Sequence, residues 1–455
     1  MTIVYPLIFP LLLWLTAFGE SALAQQPADG TGGAVPTAGD HQAASSLTLG
    51  ALLDSVTTRH PLVGAARARV RAAQGVRRAA GTFANPMLGY DVENAPLPGG
   101  ATPTMDREVM TTVMLPLEEL YQRGPRVRRA TAEVRATAAD AAATEQRVAL
   151  DAASAYFRVA LAQIALDAAR DVSAWLDTVV AYNRSRVREG VTAEADLIRS
   201  EVERDRAAAD ATMQAAELAR ARADLAAFLG DPASLLPASI VVAIDDRALE
   251  LPPPSSTRVA SGKPEVRAAR ERVSAANAGV SAERTMFLRQ LGATIGTKRS
   301  LGVSMLVAGV SLPVPLFDQN RGGRERANAE REAAQLELVA EERTASGALI
   351  GATQAAQLLT ERTVAIGARD PAGRVAYLAR ADEARRIALG AYREGAAPLF
   401  QVIDAARTWA EARVAYYGLV YAQQQSVLAL LVAQGTPLSS ATVRGEAQQK
   451  RSLPR

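Results

Sequence analysis

Few residues in this chain have the types and spacing that chemistry needs. Among 455 residues there is no cysteine, and the two histidines are His41 and His60. That removes disulfides, thiol nucleophiles, cysteine zinc sites and lipid attachment through an N-terminal cysteine. His41 lies in a polar stretch and His60 precedes Pro61 at a helix start, which gives both a structural role. No G-x-S-x-G occurs. Ser261-Gly262-Lys263-Pro264 has the end of a phosphate loop but lacks the earlier glycine and the Ser/Thr after the lysine. The remaining cluster is basic: Arg123, Arg126, Arg128 and Arg129, answered later by Arg321, Arg324 and Arg326. It has no interleaved aromatics, so it predicts a solvated belt beside lipid headgroups rather than a nucleic-acid surface. With 51 cations against 48 anions, the net charge of +3 implies no nucleic-acid partner. No resident metal or cofactor is expected, and an enzyme has no constellation to stand on.

The elements that position these residues are long helices. Aromatic content is 5% and alanine is abundant, a composition suited to close helix packing. Arg126 to Glu189 runs for 64 residues without glycine or proline and stops at Arg188-Glu189-Gly190. At ~1.5 Å per residue such a helix is about 96 Å long and must pack along a neighbour throughout. Val148, Ala152, Ala155, Val159, Ala162, Leu166 and Ala169 step by four and three, a coiled-coil seam. A second stripe, Leu150, Ala153, Phe157, Ala160 and Ile164, lies on another side. Two seams fit a closed ring of helices; a dimeric coiled-coil rod covers one and leaves the other bare.

Ahead of this helix, Ile3 to Phe18 is apolar and Ala22-Leu23-Ala24 supplies a small-x-small cleavage site. The expectation is a signal peptide over 1–24, without the usual basic n-region, then a flexible leader over 25–46. Short helices follow at 47–59 and 61–84, and Asn85-Pro86 breaks the second. The period then changes from 3.6 to 2. Leu88, Tyr90 and Val92 alternate with polar neighbours, a Pro/Gly loop spans 95–105, and Val109, Thr111, Val113 and Leu115 alternate again. Each run is about as long as a tilted strand that crosses a bilayer. Pro116 turns the chain out of the sheet.

The pattern occurs twice. Pro61-Leu62-Val63 aligns with Pro264-Glu265-Val266, Arg123-Gly124 with Arg321-Gly322, Arg188-Glu189-Gly190 with Arg393-Glu394-Gly395, and Gly230-x-Pro232 with Gly435-x-Pro437. The first repeat spans 47–235 (hairpin 87–115, long helix 126–189, return helix 192–229), and a connector covers 236–262. The second spans 263–438 (hairpin 291–312, long helix 324–394, return helix 398–434), with a tail over 439–455. The second hairpin is read as Leu291–Thr297 and Val303–Leu312, joined by Lys298–Gly302 and closed by Pro313 and Pro315. The offset grows from 198 to 205, which puts seven extra residues around Gly367–Gly373, where Pro371 interrupts the helix. A return helix of about 55 Å stacked on a first helix of about 36 Å nearly matches the long helix. Four columns result, two continuous and two built from stacked halves, with the connectors forming a belt.

Four strands cannot close in lipid, because eight is the smallest barrel and open edges are excluded. The chain must share its sheet with copies of itself. Two copies give eight strands with an interior just filled by side chains, and three give twelve around a lumen. Glu108, Thr112, Thr294 and Ser304, polar residues expected to face inward, favour the wet lumen of a trimer.

These features resemble the TolC-type outer-membrane factor family, the outer membrane efflux proteins. The resemblance rests on the duplicated proline-start helices, on Val113-Met114-Leu115-Pro116-Leu117 and on the Arg-Glu-Gly tips. It rests also on Ser311-Leu312-Pro313-Val314-Pro315-Leu316-Phe317-Asp318-x-Asn320-Arg321-Gly322, and covers about Leu47 to Gln434. It implies a mainly α fold with transmembrane β, forming a homotrimer: a twelve-stranded outer-membrane barrel on a periplasmic α-helical barrel. It implies a passive duct in outer-membrane lipid for a tripartite efflux pump. Its partners would be a periplasmic adaptor (membrane fusion protein), docked at the tips, and an inner-membrane transporter of the RND class. The family's gating tyrosine and its aspartate partner map onto Tyr392 and Asp196; of the family's two constriction aspartates, Gln401 replaces one and Asp404 keeps the other, an acidic ring. Ala397 stands where the family has a clamp arginine, so that clamp is weaker or built differently here. Resemblance to the heavy-metal branch is further suggested, although the chain has no Cys or Met/His clusters that would bind metal. The alternative is a periplasmic adaptor-type coiled-coil protein. An adaptor needs a single hairpin flanked by β-rich modules; this chain has two, with strands at the opposite end.

Overall fold

The computed structural model describes residues 46–95, 106–191, 193–229, 240–253, 262–286, 291–312, 314 and 316–440. The expected signal segment, nearly all of the leader, the 96–105 part of the hairpin loop, Gly230, Pro232, Pro313, Pro315 and the tail beyond 440 lie outside them.

The elements run α1 (Leu49–Arg59), α2 (Pro61–Gly81), β1 (Met87–Glu93), β2 (Glu108–Pro116), α3 (Glu119–Arg188) and α4 (Glu194–Ala226). The second half repeats them as α5 (Pro264–Thr285), β3 (Gly292–Ser300), β4 (Val303–Ser311), α6 (Arg321–Ile366), α7 (Ala376–Arg393) and α8 (Leu399–Ala433). Proline stands at the first turn of α2 and of α5, where its missing N–H costs nothing.

At 70 residues α3 is the spine. It begins at Glu119 rather than at Arg126 and carries Pro125 inside it. An interior proline removes a helix hydrogen bond and costs roughly 3 kcal/mol. Here the start is held from outside. The Leu117 N–H donates to Leu291 O at 2.7 Å. The Arg126 guanidinium bridges Glu119 at 2.5 and 3.2 Å and donates to Ala80 O at 3.0 Å, so side chains span the proline.

Both stripes of α3 are covered within one chain. Val148, Ala152, Val159 and Leu166 are buried, and so are Ala153, Phe157, Ala160 and Ile164. On one side α3 packs against α2 and, further along, α4; on the other, against α5 and α8. Outside α5 and α8 lie α6 and α7. The column order is therefore α2/α4, α3, α5/α8, α6/α7.

The fourth column is broken where the extra residues fall. Residues 367–375 form a tight excursion closed by an antiparallel bridge between Arg369 and Val375. Gly373 takes φ 77° there, and Asp370 accepts from the Arg374 N–H at 2.9 Å. Arg369 pairs with Asp246 at 3.0 Å, tying the excursion to the connector.

The connector is strapped across the helices by glutamines. Gln163 accepts from Val242 N at 3.0 Å and donates to Val242 O at 3.3 Å, an amide standing in for a strand partner. Gln423 does the same for Leu249, at 3.0 and 2.7 Å, and Gln424 donates to Arg247 O at 2.6 Å. Leu47 bridges Val242 in parallel and brings α1, with its buried Leu52, Leu53 and Val56, onto the same belt. Buried backbone must be paired, and this belt satisfies it without a sheet.

Candidate lumen face and periplasmic tip

The four strands form one antiparallel sheet in the order β1-β2-β3-β4. The pairings Thr112↔Gly296, Met114↔Thr294 and Thr294↔Gly309 assign the faces, because side chains alternate with period 2. One face carries Gly89, Asp91, Glu93, Glu108, Thr112, Thr294, Lys298 and Ser300, together with Met110, Met114, Met305 and Val307. The other carries Leu88, Tyr90, Val92, Val109, Val113, Leu115, Ile295, Leu306 and Val310, with Thr111, Thr297 and Arg299 among them. On the polar face Lys298 pairs with Glu108 and lies 3.9 Å from Glu93, and the Ser300 hydroxyl donates to Glu108 at 2.8 Å. Glu108, Thr112 and Thr294 share this face, as expected. Ser304 does not. Arg299↔Ser304 and Thr297↔Leu306 put it on the apolar face, because β3 runs to Ser300 and the hairpin turns in two residues.

That turn replaces the expected 298–302 loop. Leu301 and Gly302 take φ of 52° and 77°, the type I′ geometry that matches strand twist. Nearby, a Cβ on Gly296 would stand 2.2 Å from Thr111 O, so β2 and β3 pair closely only with glycine there.

Both helical hairpins end alike at the opposite end of the helices. Gly190 has φ 73°, with the Val191 N–H donating to Arg186 O at 2.9 Å; Gly395 has φ 78°, with the Ala396 N–H donating to Ala391 O at 2.8 Å. These left-handed glycines close each helix with Schellman hydrogen bonds. They leave Arg188, Glu189, Arg393 and Glu394 exposed.

Tyr392, just before the second tip, is 6% exposed. Its hydroxyl donates to Asn183 Oδ1 at 2.6 Å, not to Asp196. Asn183 is fully buried on the α3 stripe that includes Leu176 and Val179, while Asp196 sits half-buried in the first turn of α4. Asp196 acts on Tyr392 through charge. Burial pushes the phenol pKa up, the Asn183 hydrogen bond pulls it down, and the Asp196 carboxylate adds to the rise. Around this bond Tyr182 meets Tyr392 edge-on at 6.0 Å and donates to Arg393 O at 3.1 Å. Asn183 has no parallel in the sequence reading; its signal is an amide on an otherwise apolar helix stripe.

Gln401 and Asp404 lie one turn apart on α8, both exposed. Their neighbours Val402, Ile403 and Ala406 pack into the Tyr392 cluster instead. The structure thus joins Tyr392 to α3 and leaves Gln401 and Asp404 on a separate face. Further along α8, Arg407 pairs with Glu203 of α4, and Arg413 with Asp171 of α3 at 2.8 Å. Of the junction prolines, Pro86 lies between α2 and β1 and Pro116 ends β2.

The outer membrane efflux protein family model matches this chain twice, over residues 52–231 and 257–436. The chain belongs to that family. The duplication is thereby two copies of one family unit, and the adaptor alternative falls away. Among curated relatives, the cobalt-zinc-cadmium resistance protein CzcC of Cupriavidus metallidurans is 25% identical over 381 residues. That alignment covers 83% of this chain and 88% of CzcC. The nickel-cobalt-cadmium resistance protein NccC of Alcaligenes xylosoxydans xylosoxydans is 27% identical over 311 residues, covering 66% and 68%. The solved structure of CusC, a transmembrane channel former, superposes with a TM-score of 0.72 at 19% identity, covering 86% of this chain and 93% of CusC. The efflux protein is thus an outer-membrane channel component of a tripartite pump, working with an adaptor and an inner-membrane transporter. Its helices form the large periplasmic part.

Proposed function

We propose that three copies of this efflux protein pool their sheets into a twelve-stranded barrel over a shared helical tunnel. The carrying observation is a four-stranded sheet with β1 and β4 unpaired at its edges, one face richer in apolar side chains and the other carrying Asp91, Glu93, Glu108 and Lys298. Open strand edges are not tolerated in hydrocarbon, and a lone sheet cannot be satisfied there. Two copies would give eight strands with a filled interior; three leave room for the polar face to line water.

At the other end the tunnel is held shut by the Tyr392–Asn183 bond, with Asp404 and Gln401 lining the constriction. Three Asp404 carboxylates make a cation-attracting collar, as charged rings do in channels. The tips Arg188-Glu189-Gly190 and Arg393-Glu394-Gly395 receive the adaptor, and the inner-membrane partner is a transporter of the RND class. Divalent transition-metal cations are the cargo, a reading supported by the relatives CzcC and NccC, named for cobalt, zinc, cadmium and nickel resistance.

Native mass and planar-bilayer conductance of the detergent-purified mature protein test this reading. A particle near three chain masses with a conducting, cation-preferring pore is expected. A stable single copy, or a trimer that does not conduct when unlatched, refutes it.

A further inference from the structure

Two features stand apart in this chain, the bare residue Phe317 and a cavity where α2 meets α3. Phe317 is 99% exposed, the barest large apolar side chain among the described residues, and Leu316 beside it is 72% exposed. The segment is not slack. Asn320 donates to Glu283 O at 2.9 Å and to the Glu283 carboxylate at 2.7 Å, Asp318 accepts from the Asn320 N–H at 2.9 Å, and the Leu316 N–H donates to Val314 O at 2.8 Å. A rigidly presented aromatic is a pre-organised anchor.

On the opposite edge, at the top of α2, Val76 and Phe83 are 63% and 62% exposed. With Ala79, Ala130, Arg126 and Arg129 they line a cavity of about 500 Å³ where α2 meets α3. Arg123 already stacks over Phe83 at 4.9 Å, and Arg126 and Arg129 line the cavity with Glu119 and Glu133.

Topology aligns the two features. The (β4, α6) edge and the (β1, α2) edge are the two unpaired edges of the chain. Met87, Met114, Thr294 and Gly309 share one level across the sheet. Phe317 lies eight residues past Gly309, and Ala79 eight residues before Met87, so both flank the sheet on its helical side.

We infer that Phe317 of one copy seats in the α2–α3 cavity of the next copy, locking neighbouring copies at the sheet–helix boundary. This rests on the trimeric reading above and names the contact that sets its register.

The chain has no native cysteine, so a Phe317→Cys, Val76→Cys double variant gives a clean test in the purified full-length protein. A short bis-maleimide should convert it to a covalent ladder ending at three chains on a denaturing gel, while each single variant stays at one chain. No ladder from a particle of trimeric native mass overturns the socket and leaves the trimer standing. A monomeric native mass for the unmodified protein overturns both. A Phe317→Trp variant in vesicles separates the membrane as occupant: emission unaffected by brominated phospholipid supports the socket, and strong quenching overturns it.

Discussion

Removing one oxygen at the tip should open the channel. In Tyr392→Phe the ring packing against Tyr182 and the surrounding apolar cluster is retained and only the 2.6 Å bond to Asn183 Oδ1 is lost. Asn183 is 0% exposed and its Nδ2 already has no hydrogen-bond partner, so the change leaves the whole amide unsatisfied. A buried polar group in that state costs about 1–3 kcal/mol. Only the difference between closed and open states counts, because an amide stranded in both shifts nothing. Taking the low end, about 1 kcal/mol per copy, three latches that release together move the balance by about 3 kcal/mol, roughly 100-fold. The assay is leak through the unassembled channel in planar bilayers. Asn183→Ala should raise leak to a similar degree, and the double variant should be no leakier than either single one, since both remove the same bond. Asp196→Asn should do much less, because Asp196 reaches Tyr392 only through its charge. Unchanged leak in Tyr392→Phe at trimeric native mass, or additive effects in the double variant, refutes the latch.

The belt and the collar give further predictions. Gln423→Leu removes the bonds to Leu249 N, Leu249 O and Thr360, and should destabilise by about 2–4 kcal/mol with faster proteolysis across 240–252; equal protection would refute the strap. Burial, with the Asp245 charge adding, pushes the Tyr156 pKa up to about 12 from its ordinary value of 10.0. The folded state holds that proton more tightly, so stability is fully present below pH 10 and falls as pH rises towards 12. Denaturant midpoints should show the fall, and Tyr156→Phe should shrink it; an identical fall in the variant removes Tyr156 as its source. Asp404→Ala should weaken block by multivalent cations in single-channel recordings, and unchanged block would dispose of the collar.

The architecture was legible because it is written in periods and breakers. The change from 3.6 to 2 at Asn85-Pro86, the return at Pro116 and the glycine after each Arg-Glu tip are local signals, and each marks where an element changes. What escaped depends on partners distant in sequence. Pro125 says stop, yet α3 runs through it, since Arg126 clamps Glu119 and the carbonyl of Ala80. Leu301 accepts a left-handed backbone to make a two-residue turn, and that register puts Ser304 on the apolar face. Asn183 in place of Asp196 follows from how the end of α7 meets α3, which no spacing within either helix encodes.

The same distinction bears on the proposal that one chain shares its fold with copies of itself. The apolar stripes of α3 are both buried by its own neighbours. α6 is also long and alanine-rich, and its buried side, with Ala327, Ala334, Ala345, Leu349 and Ala356, packs on α5 and α8. Its other side leaves Leu336, Ile350, Leu358 and Val364 between 57% and 68% exposed, with no helix beyond it among the described residues. Those four residues span some 28 positions of α6, and at about 3.6 residues per turn they fall within roughly one third of its circumference. Under the trimeric reading proposed above, this is the side of α6 that would meet the next copy. The bare edge of α6 and the bare edge of β4 lie on the same side of the chain, which is where a closed ring would place the next copy's α2 and β1.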